Sequence, residues 1–361
     1  MPLTIARTAR RRPVVAFAAL GALLALAGCS TDSTAPSPTP STLSADVAVD
    51  KAAPPAPVIP PAWPLTGIAA TDVAARPALA VKVENPQEAR PQAGLDQADI
   101  VWEEVVEGGI TRFVAIFQSE VPGDVGPIRS VRPMDPSIVA PMHGLIAFSG
   151  RQARFVAALN EAGVQTLSND AGSGGFRRTS NHPAPHNVYG NPTTFWSQAS
   201  ADRTSPPPAQ FTYARQAAQA TAAVAGTPAG AVQIRMSGYS QPGFTWDAPS
   251  GTWLRTESGN PATAASGARL AATNVVALRV NLVDSGTRDP AGNVVPETQL
   301  VGSGEAVVAT GGKTVAATWT KGAVTTPLVL TTADGQVVKL APGRTWLELV
   351  PTSGGGSVTV G

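Results

Sequence analysis

Carboxylates, arginines and a pair of histidines crowd into one stretch of this chain, from Val81 to Asn191. The stretch reads VKVEN, ARPQAGLDQADIVWEEVVEGGITRF, VGPIRSVRP and NHPAPHNVYGNP in turn. Of the 54 residues from 82 to 135, 15 are charged, against 18 of the 157 from 205 onward. Charges gathered beside Gly and Pro turns suggest a built site. Glu104 and Glu107 are the carboxylates that could serve as a general base, with His186 as the acid. In an extended strand Glu103 and Glu107 share one face but root ~13 Å apart, too far to act as a pair. Glu107 stands beside Gly108 and Gly109, where backbone can approach a ligand closely. Arg112, Arg129 and Arg132 each offer a rigid fork for a carboxylate or phosphate. Together with Glu103, His186 and Asn187 they form the candidate ligand-binding set. The alternative is an internal network in which the arginines neutralise Glu103, Glu104 and Glu107.

His182 and His186 have a spacing that would suit a metal on a helix, but Pro183 and Pro185 exclude that helix. Extended chain roots the two rings ~12 Å apart, so no shared metal is expected, and no motif calls for a cofactor. His186, fixed between Pro185 and Asn187, is the better candidate for a single oriented acid, base or donor, or else a packed loop histidine. There is no nucleophile elbow, phosphate loop, dinucleotide fingerprint or zincin motif. The single cysteine, Cys29, lies far upstream, which excludes cysteine catalysis by the folded part.

The elements that must position these residues follow from periodicity. Residues 80–84 alternate as a strand. Residues 99–107 and 110–118 read as a hairpin-like pair around Gly108-Gly109, and 128–132 as another short strand. Pro136 to His143 reads as a helix with Asp135 as its N-cap. Residues 144–149 suit a buried strand, 152–162 a helix closed by Gly163, and 164–167 a further strand. The Gly-rich loop 171–175 reads as a lid or as a disordered segment. This makes 65–203 an N-terminal mixed α/β domain. Ser205 to Pro208 is a linker, and Gln210 to Ala225 an Ala-rich helix. Beyond it come hairpins at 243–257, 304–320 and 328–340 and a long apolar strand over 274–283. Residues 204–351 are therefore expected to form a mainly antiparallel β domain, with Trp246, Trp253, Trp319 and Trp346 in its core. The fold class is α+β, and 352–361 is expected to be a flexible tail.

The N-terminus speaks to location. Arg7, Arg10, Arg11 and Arg12 precede a short apolar run, Val14 to Leu26, which is a signal-peptide core rather than a membrane span. Leu26-Ala27-Gly28-Cys29 fits a lipobox, so 1–29 is read as a lipoprotein signal and Cys29 as the acylated (palmitate-bearing) anchor. Residues 30–64 are Pro, Ser, Thr and Ala, a tether of up to roughly 100 Å if extended. Net charge is +1, which excludes an electrostatic case for nucleic acid.

VKVEN at 81–85, ARPQ-GL--ADIV-EE-VEGGITRF at 89–113, GPIRS-RP at 126–133 and PHNVY at 185–189 occur in this order. GTWLR, TNVV, VGSGEAVV, TWTK and LAPGRTWLELVP follow in the second half. The chain thereby resembles the YerB-like bacterial lipoproteins, a family whose domains have no assigned function. The resemblance implies a lipid anchor, an N-terminal α/β domain and a C-terminal β-rich domain, but no reaction. The matching positions include Glu103, Glu104, Glu107, Arg112, Arg129, Arg132, Pro185, His186 and Asn187. The first expectation is thus a lipid-anchored, extracytoplasmic envelope protein that binds an anionic wall polymer or lipid carrier without catalysis. The second is an enzyme on an envelope glycan or phosphate-linked carrier. The third is a scaffold for another envelope protein.

Overall fold

A computed structural model describes residues 60–180 and 182–361. The expected signal peptide, Cys29 and most of the tether lie outside the described residues. The described residues are mostly β, and the longest helix among them has nine residues. No helix among the described residues is long and apolar enough to cross a membrane.

The first half contains strands β1 (Leu79–Glu84), β2 (Ile100–Val105) and β3 (Thr111–Phe117), then helix α1 (Asp135–Val139), β4 (Leu145–Phe148), helix α2 (Ala153–Glu161) and β5 (Gln165–Ser168). A small hairpin, β6 (Phe176–Arg178) with β7 (Val188–Gly190), carries the 179–187 loop, and helix α3 (Pro192–Trp196) follows. The second half contributes helix α4 (Thr221–Ala225) and ten longer strands. They are β8 (Ala231–Arg235), β9 (Pro242–Asp247), β10 (Thr252–Glu257), β11 (Asn274–Arg288), β12 (Val294–Gln299), β13 (Gly302–Thr310), β14 (Lys313–Lys321), β15 (Val329–Thr331), β16 (Thr345–Pro351) and β17 (Ser357–Val360).

One twelve-stranded sheet runs β15-β14-β13-β11-β16-β2-β3-β1-β4-β5, with β12 paired to β11 and residues 227–228 to β14. The junction between the two halves is the parallel pairing of β2 with β16, Ile100 to Thr345 through Glu103 to Glu348. Strands β8, β9, β10 and β17 make most of a second sheet. Alternation sends side chains to two cores. Ile100, Trp102, Val114, Ile146 and Phe148 pack with Val276, Leu347 and Trp319 on one face. Val81, Val83, Phe113 and Val101 pack with Phe244, Trp253 and Trp346 on the other. Trp253, Trp319 and Trp346 are buried as expected, and Trp246 is half-buried.

Several local expectations are corrected. Residues 128–132 form no strand; Ile128 makes a single bridge to Val83. The 136–143 segment is a five-residue α-helix, then a turn at 140–142, and Asp135 caps nothing but receives the Arg132 amide and the Lys82 ammonium. Helix at 210–225 shrinks to 221–225, because Thr212-Tyr213 pair with Lys339-Leu340 instead. The loop at 171–175 is not a free lid: Gln198 holds Gly174 at both its N–H and its C=O, each at 3.1 Å. The expected flexible tail includes β17, which pairs with β8 from Val232 to Arg235.

Candidate functional site

Register decides which charges meet. On β3, Arg112 lies opposite Glu84 of β1 on one side and Glu104 of β2 on the other. Lys82, two residues before Glu84, shares that face. Glu103, next to Glu104, must point to the opposite face. The sheet thus carries one ionic cluster on each side.

The inner part of the first cluster is fully buried. Lys82 holds Glu104 and also donates to Asp135 at 2.7 Å. Burial pushes the Glu104 carboxyl up to about 7, against the pull of Lys82. One Glu104 oxygen has no partner. Glu104 therefore has no route to a substrate in this conformation. Glu107 lies past the end of β2, in a tight turn with Gly108 in the left-handed region at φ 66. The turn swings its carboxylate under Arg132, whose Nε and Nη2 each meet an oxygen at 2.6 Å, with an Arg112 nitrogen 3.9 Å away. Arg112 also donates to the Ser130 carbonyl at 2.9 Å. Burial, with Arg132 close by, pulls its guanidinium down to about 9, and its Nε is buried without a partner.

The outer part forms where the sheet opens. Strands β1 and β4 are paired only from Leu79–Val81 to Leu145–Ala147. Beyond Val81 they part, and residues 127–129 wedge between them. The Glu84 amide donates to the Pro127 carbonyl, the Arg129 amide to Lys82, and the Ser149 amide to Arg129. From β1 the chain runs to β2 and β3 on one side, and from β4 to β5 on the other. Such a parting at strand C-termini leaves the crevice where ligands bind in open sheets. Here Glu84, 3% exposed, meets Arg129 Nε at 3.1 Å and His186 Nδ1 at 3.0 Å. Burial raises the Glu84 carboxyl above its ordinary range, while Arg129 and His186 hold it down. Arg129 and His186 are 29% and 20% exposed. Among the described residues nothing bonds the Arg129 Nη atoms or His186 Nε2. One buried carboxylate thus grips two side chains by their inner nitrogens and turns the outer nitrogens to solvent.

Of the residues singled out from sequence, Arg112, Arg129, Arg132, Glu107 and His186 come together. Asn187 does not: it accepts from Arg178 at 2.7 Å on the exposed hairpin. Glu103 is on the far face, where Arg255 reaches it at 2.5 Å and Glu348 at 2.8 Å, and also meets Glu257 at 2.6 Å. Arg255 sits over Trp346, 4.5 Å from the ring centroid, and over Phe113 and Phe244 at 5.3 Å. Burial would lower the Arg255 pKa, but the three carboxylates overcome it and raise it. Glu348 is pushed well above its usual range by burial and by Glu103, whereas Arg255 holds Glu103 low. Sequence reasoning missed Lys82, Glu84, Asp135, Arg255 and Glu348. A signal existed for the first two: charges at alternate positions of an otherwise apolar strand. No group of three or more His, Cys, Asp or Glu suited to a metal occurs among the described residues.

Comparison with known proteins gives a consistent result. Residues 65–205 match the family model described as protein of unknown function (DUF3048), N-terminal domain, and 232–347 match its C-terminal domain. The "Putative lipoprotein YerB" of Bacillus subtilis (strain 168) is 56% identical over 70 residues, 19% of this chain and 21% of that protein. The matched stretch therefore spans about a fifth of the relative's length. The crystal structure of the YerB protein from Bacillus subtilis superposes with a TM-score of 0.70 at 24% identity, over 82% of this chain and 99% of the other. That likeness is one of fold.

Proposed function

The chain belongs to the family built from the two DUF3048 domains, and from that premise we propose that it is a lipid-anchored, extracytoplasmic protein that binds an anionic group of the cell envelope at the β1–β4 opening. The observation that carries this reading is the double grip of Glu84. Arg129 Nε and His186 Nδ1 meet the same Glu84 oxygen, which leaves the Nη pair and Nε2 of two partly exposed side chains unbonded and anchored at a common point. Arg112 behind them adds positive charge, and Glu104, near neutrality in its titration, offsets little of it. Two outward donors on one anchor suit an oxyanion; the chain's low net charge argues against broad electrostatic attraction.

The test is co-sedimentation of the full-length chain with isolated cell walls and with vesicles containing phosphatidylglycerol, at low and high salt. Binding should fall with salt. Arg129→Gln combined with His186→Gln should weaken it about tenfold or more, since each lost charge-assisted bond is worth roughly 1.5–3 kcal/mol. Undiminished binding by a folded double variant would remove the arginine and histidine from the site. The 3.0 Å contact favours one further reading, an enzyme on a phosphate-linked or glycan ligand in which His186 Nε2 transfers the proton and Glu84 positions it. Turnover of a bound ligand, lost in His186→Gln with binding retained, is its signature.

A further inference from the structure

Among the described residues most arginines have a partner. Arg255, Arg132, Arg203 and Arg344 pair with carboxylates, and Arg76 and Arg269 donate to backbone carbonyls. Arg279 on β11 is different. Among the described residues it is the arginine that is not exposed and yet makes neither a hydrogen bond nor an ion pair. Its Nη1 is buried without a partner. Leaving a guanidinium nitrogen desolvated and unpaired is costly, and with Nε and Nη2 of this part-exposed side chain also unbonded, the group as a whole points to a partner outside the chain.

The surroundings supply a place for one. Arg279 lines a cleft of about 380 Å³ with Asn281, Gln299, Ser303 and Glu305. Trp319 closes its floor, its indole N–H donating to the Arg279 carbonyl at 2.9 Å. A Cβ at Gly304 would stand 2.6 Å from both that carbonyl and Trp319 Nε1, so glycine keeps the floor open. Leu278 pairs with Ala306 across β11 and β13. Arg279 and Glu305 are the next residues of the two strands and both line the cleft, yet they make no ion pair. The cleft therefore offers one cation and one anion, both uncommitted, with amides and a hydroxyl around them. A dianion such as phosphate would be repelled by Glu305. A molecule with one carboxylate and one ammonium satisfies both charges, and the guanidinium fork matches a carboxylate in plane.

We infer that this cleft is a binding site for a small zwitterion of the amino-acid class, its carboxylate on Arg279 and its ammonium on Glu305. The test uses the full-length chain in detergent micelles, titrated with alanine, acetate and ethylamine while the Trp319 indole N–H resonance is followed by NMR. Alanine should give a saturable shift with an affinity at least tenfold above acetate or ethylamine. Arg279→Gln should abolish it. Glu305→Gln, at an exposed position, should weaken alanine at least tenfold without weakening acetate. No saturable shift, an unchanged response in folded Arg279→Gln, or acetate binding as tightly as alanine overturns the inference. If Arg279→Gln fails to fold, Glu305→Gln decides alone: unchanged alanine affinity overturns it.

Discussion

Residue types alone mark Glu104 as a base, and its setting makes it something else. With no exposure and with Lys82 and Asp135 beside it, it is a buried carboxyl whose proton is retained to about pH 7. The consequence is a pH dependence of stability. Because the folded-state value lies above the unfolded one, near 4.5, the contribution is full below about pH 4.5 and is lost as pH rises through about 7. Glu84, Asp99 and Glu348 are shifted in the same direction by burial; Glu103 is held low by Arg255, and the surface carboxylates of Asp202, Asp284, Asp289 and Asp334 are lowered by local hydrogen bonds, which act below this pH range. Urea unfolding should thus show greater stability at pH 5 than at pH 8. Glu104→Gln, which fixes the neutral form, should shrink that difference by roughly 1–3 kcal/mol. An unchanged difference would show that Glu104 is ionised throughout.

The wedge at 127–130 is the element on which the proposed site depends. Its entry is Gly126, where a Cβ would lie 2.9 Å from the Val188 carbonyl and 2.8 Å from the Tyr189 ring. The first contact is with backbone and cannot rotate away. Gly126→Ala should therefore push the wedge off β7 and out of register with Lys82 and Ser149. The expected cost is about 1–3 kcal/mol. Ligand binding should fall to the level of the Arg129→Gln/His186→Gln variant although no ligand-facing side chain has changed. Retained binding in the folded variant would mean that Arg129 and His186 do not rely on the wedge's position. Backbone inserted where β1 and β4 have parted also explains why the short β-like text here forms no strand: its hydrogen bonds are divided among Lys82 and Glu84 of β1, Ser149 just past β4, and Val188 of β7.

The largest scale is the joint between halves. β2 pairs with β16, and Arg255 from the second sheet reaches Glu103 of β2 and Glu348 of β16 at once. Replacing it strands Glu103 and Glu348 in a setting that includes Phe113, Phe244 and Trp346, while Glu257 keeps Arg90 at 3.3 Å. Removing one partner of a buried ion cluster typically costs about 3–5 kcal/mol. Arg255→Met should lower the unfolding free energy by that much within a single transition, as both halves share the sheet. Two separate transitions, with the first half unaffected, would show that the joint is not cooperative.

Local order was legible in the sequence because it is written in short-range patterns. Strand alternation placed β1 and β3, a short apolar run placed β4, the apolar spacing and Gly163 placed α2, and the ordered motifs identified the family. The cluster of Arg112, Arg129, Arg132, Glu107 and His186 was legible as a list of residues. What tertiary structure decided was partnership. Strand register gave Arg112 its neighbours and split Glu103 from Glu104; the parting of β1 and β4 brought Glu84 to Arg129 and His186. Arg255 and Glu348, far along the chain from Glu103, carry no local mark of their meeting. A side chain's face is a local property with a period of two, whereas its ion partner is fixed only when distant strands pair.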